Sequence, residues 1–162
     1  MDAHPPVSYG RIVVPLDGTP FGEAVLPHVV SLAGRYGAAV TLVRAYSRPA
    51  MVTAAMLASR MPGAGPPVDA TPYVEAERGE AESYLELVAA RLRAQGLTVD
   101  CDEEPAAAGQ GIVAAARRVR ADLIAMSTHA RGGLGRLFAG GVADHVLGHA
   151  PCPVFLLRGT EE

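Results

Sequence analysis

Hydrophobic positions along the chain fall into short runs separated by amphipathic stretches. Arg11 to Leu16 (RIVVPL) and Ala39 to Ala45 (AVTLVRA) are apolar runs with β-branched residues, and Asp122 to Met126 (DLIAM) is a third apolar run. Such runs suit strands buried on both faces of a parallel sheet. Leu97 to Asp102 alternates apolar and polar residues, as a half-exposed edge strand does. Pro151-Cys152-Pro153 introduces a last strand, Val154 to Leu157.

Helical patterns lie between the strands. Thr19 as N-cap and Pro20 as first helical residue open a helix running to Tyr36, with Val25, Val29, Leu32 and Ala33 on one face. Pro27 inside it is expected to kink it or remove a hydrogen bond, and Gly37 ends it. Pro72 to Gln95 is a long amphipathic helix with Tyr84, Leu85, Val88 and Leu92 inward, stopped by Gly96. Gly111 to Arg120 turns Ile112, Ala115, Ala116 and Val119 inward, and Gly140 to His149 is the last helix. Residues 47–71 have no clear period and read as a long loop or flap. Part of it, around Met51, Met56 and Met61, reads as a short apolar helix whose methionines serve packing.

The order β-α-β-α-β-α-β-α-β predicts an α/β fold, a doubly wound five-stranded parallel sheet with helices on both faces. Right-handed crossovers leave few topologies, and 3-2-1-4-5 is the expected strand order. Its switch point lies between the first and fourth strands, where ligands of such sheets bind at the carboxyl ends. Those ends are Pro15-Leu16-Asp17 and Met126-Ser127. Cys101 and Cys152 then belong to opposite sheet edges, too far apart for a disulfide.

Composition narrows the chemistry. A chain of 162 residues fits a single domain spanning 1–162, with residues 1–9 expected to be a flexible N-terminus. All 14 basic residues are arginine. Without lysine there is no Walker A site, Schiff base or lysine nucleophile, so phosphate must be met by arginine, hydroxyls, backbone N–H groups or a metal. The net charge of −3 argues against a nucleic-acid partner. No apolar stretch is long enough to span a membrane and no signal peptide opens the chain, so the expected compartment is the cytoplasm, without membrane association. Glu103-Glu104 and the acids from Glu75 to Glu86 read as solvated faces, and the histidines show no metal-ligand spacing.

The most informative segment is DLIAMSTHARGGLGRLFAGGVADHVLGHAPCP, from Asp122 to Pro153. A strand ends, a Gly-rich loop carries Arg131 and Arg136, and a helix begins at Gly140-Gly141. Free N–H groups and the helix dipole make that start an anion site. Together with the opening IVVPLDGT and the closing VLGHAPCPVFLLR, this segment resembles the universal stress protein family over nearly the whole chain. The family pattern is Gly-x2-Gly-x9-Gly-(Ser/Thr). Here Ser127, Ala130, Gly140 and Gly141 occupy those positions, so only Gly140 is the family residue. Ala130 disfavours positive φ by roughly 1 kcal/mol relative to glycine. Gly141 lacks a hydroxyl donor worth about 0.5–1.5 kcal/mol.

The resemblance implies a site for ATP or another adenine nucleotide such as AMP or cyclic AMP, with Mg2+ as an optional companion. By resemblance Asp17 bonds the adenine or ribose, while Pro15, Leu16 and Ala45 line the base pocket. Met126 and Ser127 sit beside the ribose and phosphates, and His129, Ala130, Arg131, Gly140, Gly141 and Val142 contact the phosphates. It also implies a homodimer paired antiparallel through Val154 to Leu157, with Cys152 near the two-fold axis, and a signalling partner that the sequence does not identify. No G-x-S-x-G, P-loop, H-E-x-x-H, HxGH or SGGxDS motif occurs, so no catalytic residue is expected. Two readings follow: a nucleotide-binding regulatory protein of the stress response, or a nucleotide-independent dimeric interaction protein with a degraded phosphate loop.

Overall fold

The structure, a computed structural model, describes residues 7–46, 50–63, 65–66, 69–129 and 141–159, with 50–52, 129 and 159 described by their backbone alone. Strands β1 (Arg11–Pro15), β2 (Ala39–Ala45), β3 (Val99–Glu104), β4 (Leu123–His129) and β5 (Val154–Gly159) alternate with helices. They form one all-parallel sheet in the expected order β3-β2-β1-β4-β5.

The helices are α1 (Pro20–Glu23), α2 (Leu26–Tyr36), α3 (Ala50–Ala58), α4 (Thr71–Arg93), α5 (Ala108–Arg118) and α6 (Val142–His149). Strand periodicity divides the core into two layers. Ile12, Val14, Val40, Leu42, Leu123 and Ala125 face one way, against α2 and α4. Val13, Val43, Ile124 and Met126 face the other, against α5 and α6. Strands buried on both faces explain why their sequences read as continuous apolar runs.

Several boundaries move for local reasons. The helix expected from Pro20 to Tyr36 is two helices, because Pro27 lacks an N–H and is tolerated only in a first turn. It becomes the second residue of α2, which Gly37 closes at φ 65°. The loop expected from 47 to 71 contains α3, which takes in Met51 and Met56, whereas Met61 lies beyond it and is exposed, not packed. Strand β3 begins two residues later than its alternation indicates, and β4 runs on through Ser127, Thr128 and His129, where the sequence predicts loop. Strand β5 supplies the reason: Ser127, Thr128 and His129 pair with Leu157, Arg158 and Gly159. Glu104 is a further correction, for it is buried rather than solvated and receives the Arg118 guanidinium, which also bonds Asp102.

The amino ends of the strands are tied together. One carboxylate oxygen of Asp122 accepts from the Gly10 N–H at 2.8 Å and the Arg11 N–H at 2.9 Å. Asp122 N in turn donates to the Arg11 carbonyl at 2.8 Å, and Ala39 N to Gly10 at 2.9 Å. Both cysteines are free thiols. Among the described residues no helix is long and apolar enough to cross a membrane, and no group of His, Cys, Asp and Glu is placed to hold a metal ion.

Candidate functional site

At the carboxyl end of β1 the chain turns sharply into α1. Asp17 makes the turn: its Oδ1 accepts from the Thr19 N–H at 2.9 Å and the Thr19 hydroxyl at 2.6 Å. The same hydroxyl accepts from the Gly22 N–H at 3.0 Å, capping α1. This is the local geometry that Asp and Thr favour at turns and helix starts. It uses one oxygen of Asp17 and leaves Oδ2, on an exposed residue, available to a donor from outside.

Gly22 makes the arrangement possible. A Cβ on Gly22 would lie 2.4 Å from Asp17 Oδ1, so any side chain there displaces the carboxylate. The Gly22 carbonyl receives a long 3.4 Å contact from the Ser127 hydroxyl of β4. Ser127 thus ties β4 to helix α1, which follows β1 across the switch point.

The expected site residues divide between the two faces of the sheet. Pro15, Ala45 and Met126 share the α5–α6 side, since they alternate in phase with Val13, Val43 and Ile124. Leu16 belongs to the opposite core layer and is buried, so it floors the turn instead of lining an open surface. Asp17 and Ser127 meet around Gly22. A ligand over the switch point therefore straddles the sheet edge.

Gly141 is the N-cap of α6, with φ −98° and ψ 177°. That is extended backbone open to any residue, and a Cβ there would meet nothing within 4 Å. Glycine at this position is required by neither strain nor space. The N–H groups of Val142 and its neighbours in the first turn have no partner within the helix, as at every helix start. Gly141 N makes a long 3.4 Å contact with Asp144 Oδ2. Helix α6 starts two residues later than expected, at Val142, which is exposed. The side chain of His129, and all of Ala130, Arg131 and Gly140, lie outside the described residues.

Arg44 is a site-adjacent residue that the sequence reading passed over. It projects from β2 to within 3.3 Å of where a Cβ on Gly18 would lie, and Gly18 itself has φ 85°. Its guanidinium lies 5.2 Å from the centroid of the Tyr84 ring, within cation–π range. Tyr84 donates to Glu23 Oε1 at 3.0 Å, and Arg91 holds Glu23 Oε2 at 2.5 Å. Burial, then the hydrogen bond to Glu23, pushes the Tyr84 phenol well above its ordinary range, so it remains a neutral donor. Among the described residues Arg44 meets no carboxylate at ion-pair distance. The signal was present in AVTLVRA, where one charge nearly closes an otherwise apolar strand.

The arrangement offers a carboxylate acceptor and a cation at one side of the switch point, and N–H donors at the other. A molecule with N–H or O–H donors at one end and an anion at the other is complementary to it. Asp17 would take the donor, and the first turn of α6 the anion.

Comparison with known proteins gives the family and the fold. Residues 8–158 match the Universal stress protein family. The universal stress protein MJ0531 of Methanocaldococcus jannaschii is 26% identical over 152 residues, covering 93% of this chain and 82% of that protein. A crystal structure of a universal stress protein in complex with cAMP superposes with a TM-score of 0.65 at 17% identity, covering 95% of this chain and all (100%) of that one. The universal stress protein from Archaeoglobus fulgidus in complex with dAMP gives a TM-score of 0.59 at 23% identity, covering 93% and 98%.

Proposed function

This chain belongs to the universal stress protein family, and from that premise we propose that it binds ATP or another adenine nucleotide between the carboxyl ends of β1 and β4, as a regulatory homodimer of the stress response. The observation that carries the reading is Asp17, whose one oxygen is spent on its own turn while the other is open at the switch point. Structural relatives bound to cAMP and dAMP support adenine as the base class.

In this reading Asp17 Oδ2 accepts a base N–H or ribose hydroxyl. Arg44, held on Tyr84, supplies positive charge beside the turn. The first turn of α6, with Arg131 and Gly140 of the preceding segment, receives the phosphates, and Mg2+ accompanies them where a polyphosphate is bound. The role is binding and signalling, not catalysis.

The edge position of β5 supports the dimer. Strand order leaves β5 with one unpaired edge, and proteins usually cover such an edge. Its residues Val154 to Leu157 are half-buried and pack alternately on the two core layers. Antiparallel pairing with a second copy would satisfy the free N–H and C=O groups. Cys152, just before this edge, has its thiol pushed upward by burial and then by Asp122. Sedimentation should show a dimer at micromolar concentration; a monomer alone rejects this part.

One feature of α6 favours nucleotide-independent interaction instead: Gly141 offers no hydroxyl where the family has serine or threonine, and Asp144 already occupies its N–H. A thermal-shift titration with ATP, ADP, AMP and cyclic AMP, with and without Mg2+, decides between the two. Stabilisation that falls in Arg131→Ala supports nucleotide binding. No shift at millimolar nucleotide would leave the interaction protein. Gly141→Ser fits the space available and should tighten phosphate binding, most clearly when combined with Ala130→Gly.

A further inference from the structure

The opposite end of the sheet holds a polar groove, remote from the switch point. A groove of about 460 Å³ opens where the amino ends of β1, β2 and β3 meet the end of α5. Arg11, Ala39, Thr41, Asp100, Val119 and two further arginines, Arg118 and Arg120, line it.

Three observations set this groove apart from a solvated surface. The first is Thr41, which is nine-tenths buried on β2. Its hydroxyl has no hydrogen bond to any described residue, yet no fully buried side-chain polar atom lacks a partner among them, so the hydroxyl opens into the groove. The second is charge. Arg118 is spoken for by Asp102 and Glu104. Among the described residues the Arg11 guanidinium donates to a neutral acceptor, the Val119 carbonyl, at 3.3 Å. Neither Arg11 nor Arg120 has an ion-pair partner among the described residues, and Asp100 is the one other carboxylate of the lining. Three arginines face one aspartate within the lining, and the two carboxylates on Arg118 bring the local sum to zero, leaving Arg11 and Arg120 as guanidiniums without a direct ion pair.

The third is the backbone of Arg120. It stands just past the end of α5 with φ 53°, the one non-glycine described residue with positive φ. Ala121 N bonds back to Ala116 at 2.9 Å, and Arg120 N reaches the Arg117 carbonyl at 3.2 Å. Glycine is the residue that this helix ending favours, and the chain uses it at Gly37 and Gly96. Arg117 and Arg118, in the last turn, already answer the helix dipole. An arginine carried at a glycine position, beside a second unpaired arginine and an open hydroxyl, is the kind of local strain found at ligand sites.

We propose that this groove binds a small protonated oxyanion of the phosphate class. Arg11 and Arg120 meet its charge, and the Thr41 hydroxyl donates from the floor. Asp100 accepts the P–OH hydrogen, which selects hydrogenphosphate over sulfate because sulfate carries no proton near neutrality.

Titration of the full chain with inorganic phosphate, read by backbone amide NMR, tests this. Saturable shifts should cluster at Thr41, Asp100 and residues 119–121, and sulfate should bind at least about fivefold more weakly. Arg120→Gly should raise the melting temperature of the free protein while weakening phosphate by about tenfold. Thr41→Val should weaken it about threefold, and Asp100→Asn should erase the preference over sulfate. Shifts confined to the start of α6, none at about 50 mM phosphate, or unchanged affinity in Arg120→Gly each overturn the proposal.

Discussion

Two aspartates at opposite ends of the same sheet do opposite things. At the amino end, one oxygen of Asp122 takes two backbone N–H groups and locks the chain preceding β4 to the start of β1. At the carboxyl end, one oxygen of Asp17 takes two donors from its own turn, two residues away. The first carboxylate joins residues more than a hundred positions apart; the second stabilises only its own loop. A local turn leaves the other oxygen facing out, and a parallel sheet gathers all such turns at one end. Such turns make the carboxyl ends of a parallel sheet its usual ligand side, while Asp122 at the amino end serves the structure.

Breaking each aspartate should separate the two roles. Asp122→Ala should lower stability by about 2 kcal/mol, seen in urea denaturation, with adenine-nucleotide affinity unchanged once folded. Asp17→Ala should weaken nucleotide by about tenfold, roughly 1.4 kcal/mol, with a smaller loss of stability. An equal effect of both substitutions on binding would erase the distinction. Gly22→Ala sharpens it, because the added methyl meets Asp17 Oδ1 and nothing of the Asp122 latch. The expected result is about a fivefold loss of nucleotide affinity by calorimetry, near 1 kcal/mol.

The smallest effect lies at the β3 edge, away from both aspartates. Burial first, then the nearby Glu86, pushes the Cys101 thiol up to about 12. Its folded value lies above the ordinary thiol range near 9, so the folded state favours the protonated form. That contribution to stability is complete below the unfolded value and is lost as pH rises from about 9 to about 12. Alkylation with iodoacetamide at pH 8 should therefore be slow at Cys101 in the folded protein and fast after denaturation.

Much of the architecture was legible because both faces of the sheet are buried. Buried parallel strands leave continuous apolar runs, and RIVVPL and AVTLVRA mark β1 and β2 almost to the residue. Helix α4 was equally clear, for its inward Leu85, Val88 and Leu92 recur at helical spacing and remain buried. The expected family and strand order both hold. Less legible were features decided by pairing across the sheet. Ser127 and Thr128 look like loop residues in isolation, and only Leu157 and Arg158 beside them make them strand. Glu104 looks solvated until Arg118 arrives from α5.

Periodicity, turn chemistry and crossover handedness are local or nearly so, and they are enough to fix the alternation of elements, the switch point and Asp17 at its lip. Only the packed fold decided that Ser127 meets Gly22 and that Arg44 reaches Gly18 and Tyr84. It also brought Arg11, Thr41 and Arg120 to one groove. Such relations depend on contacts between residues far apart in the chain, and no pattern along a single strand or helix encodes them.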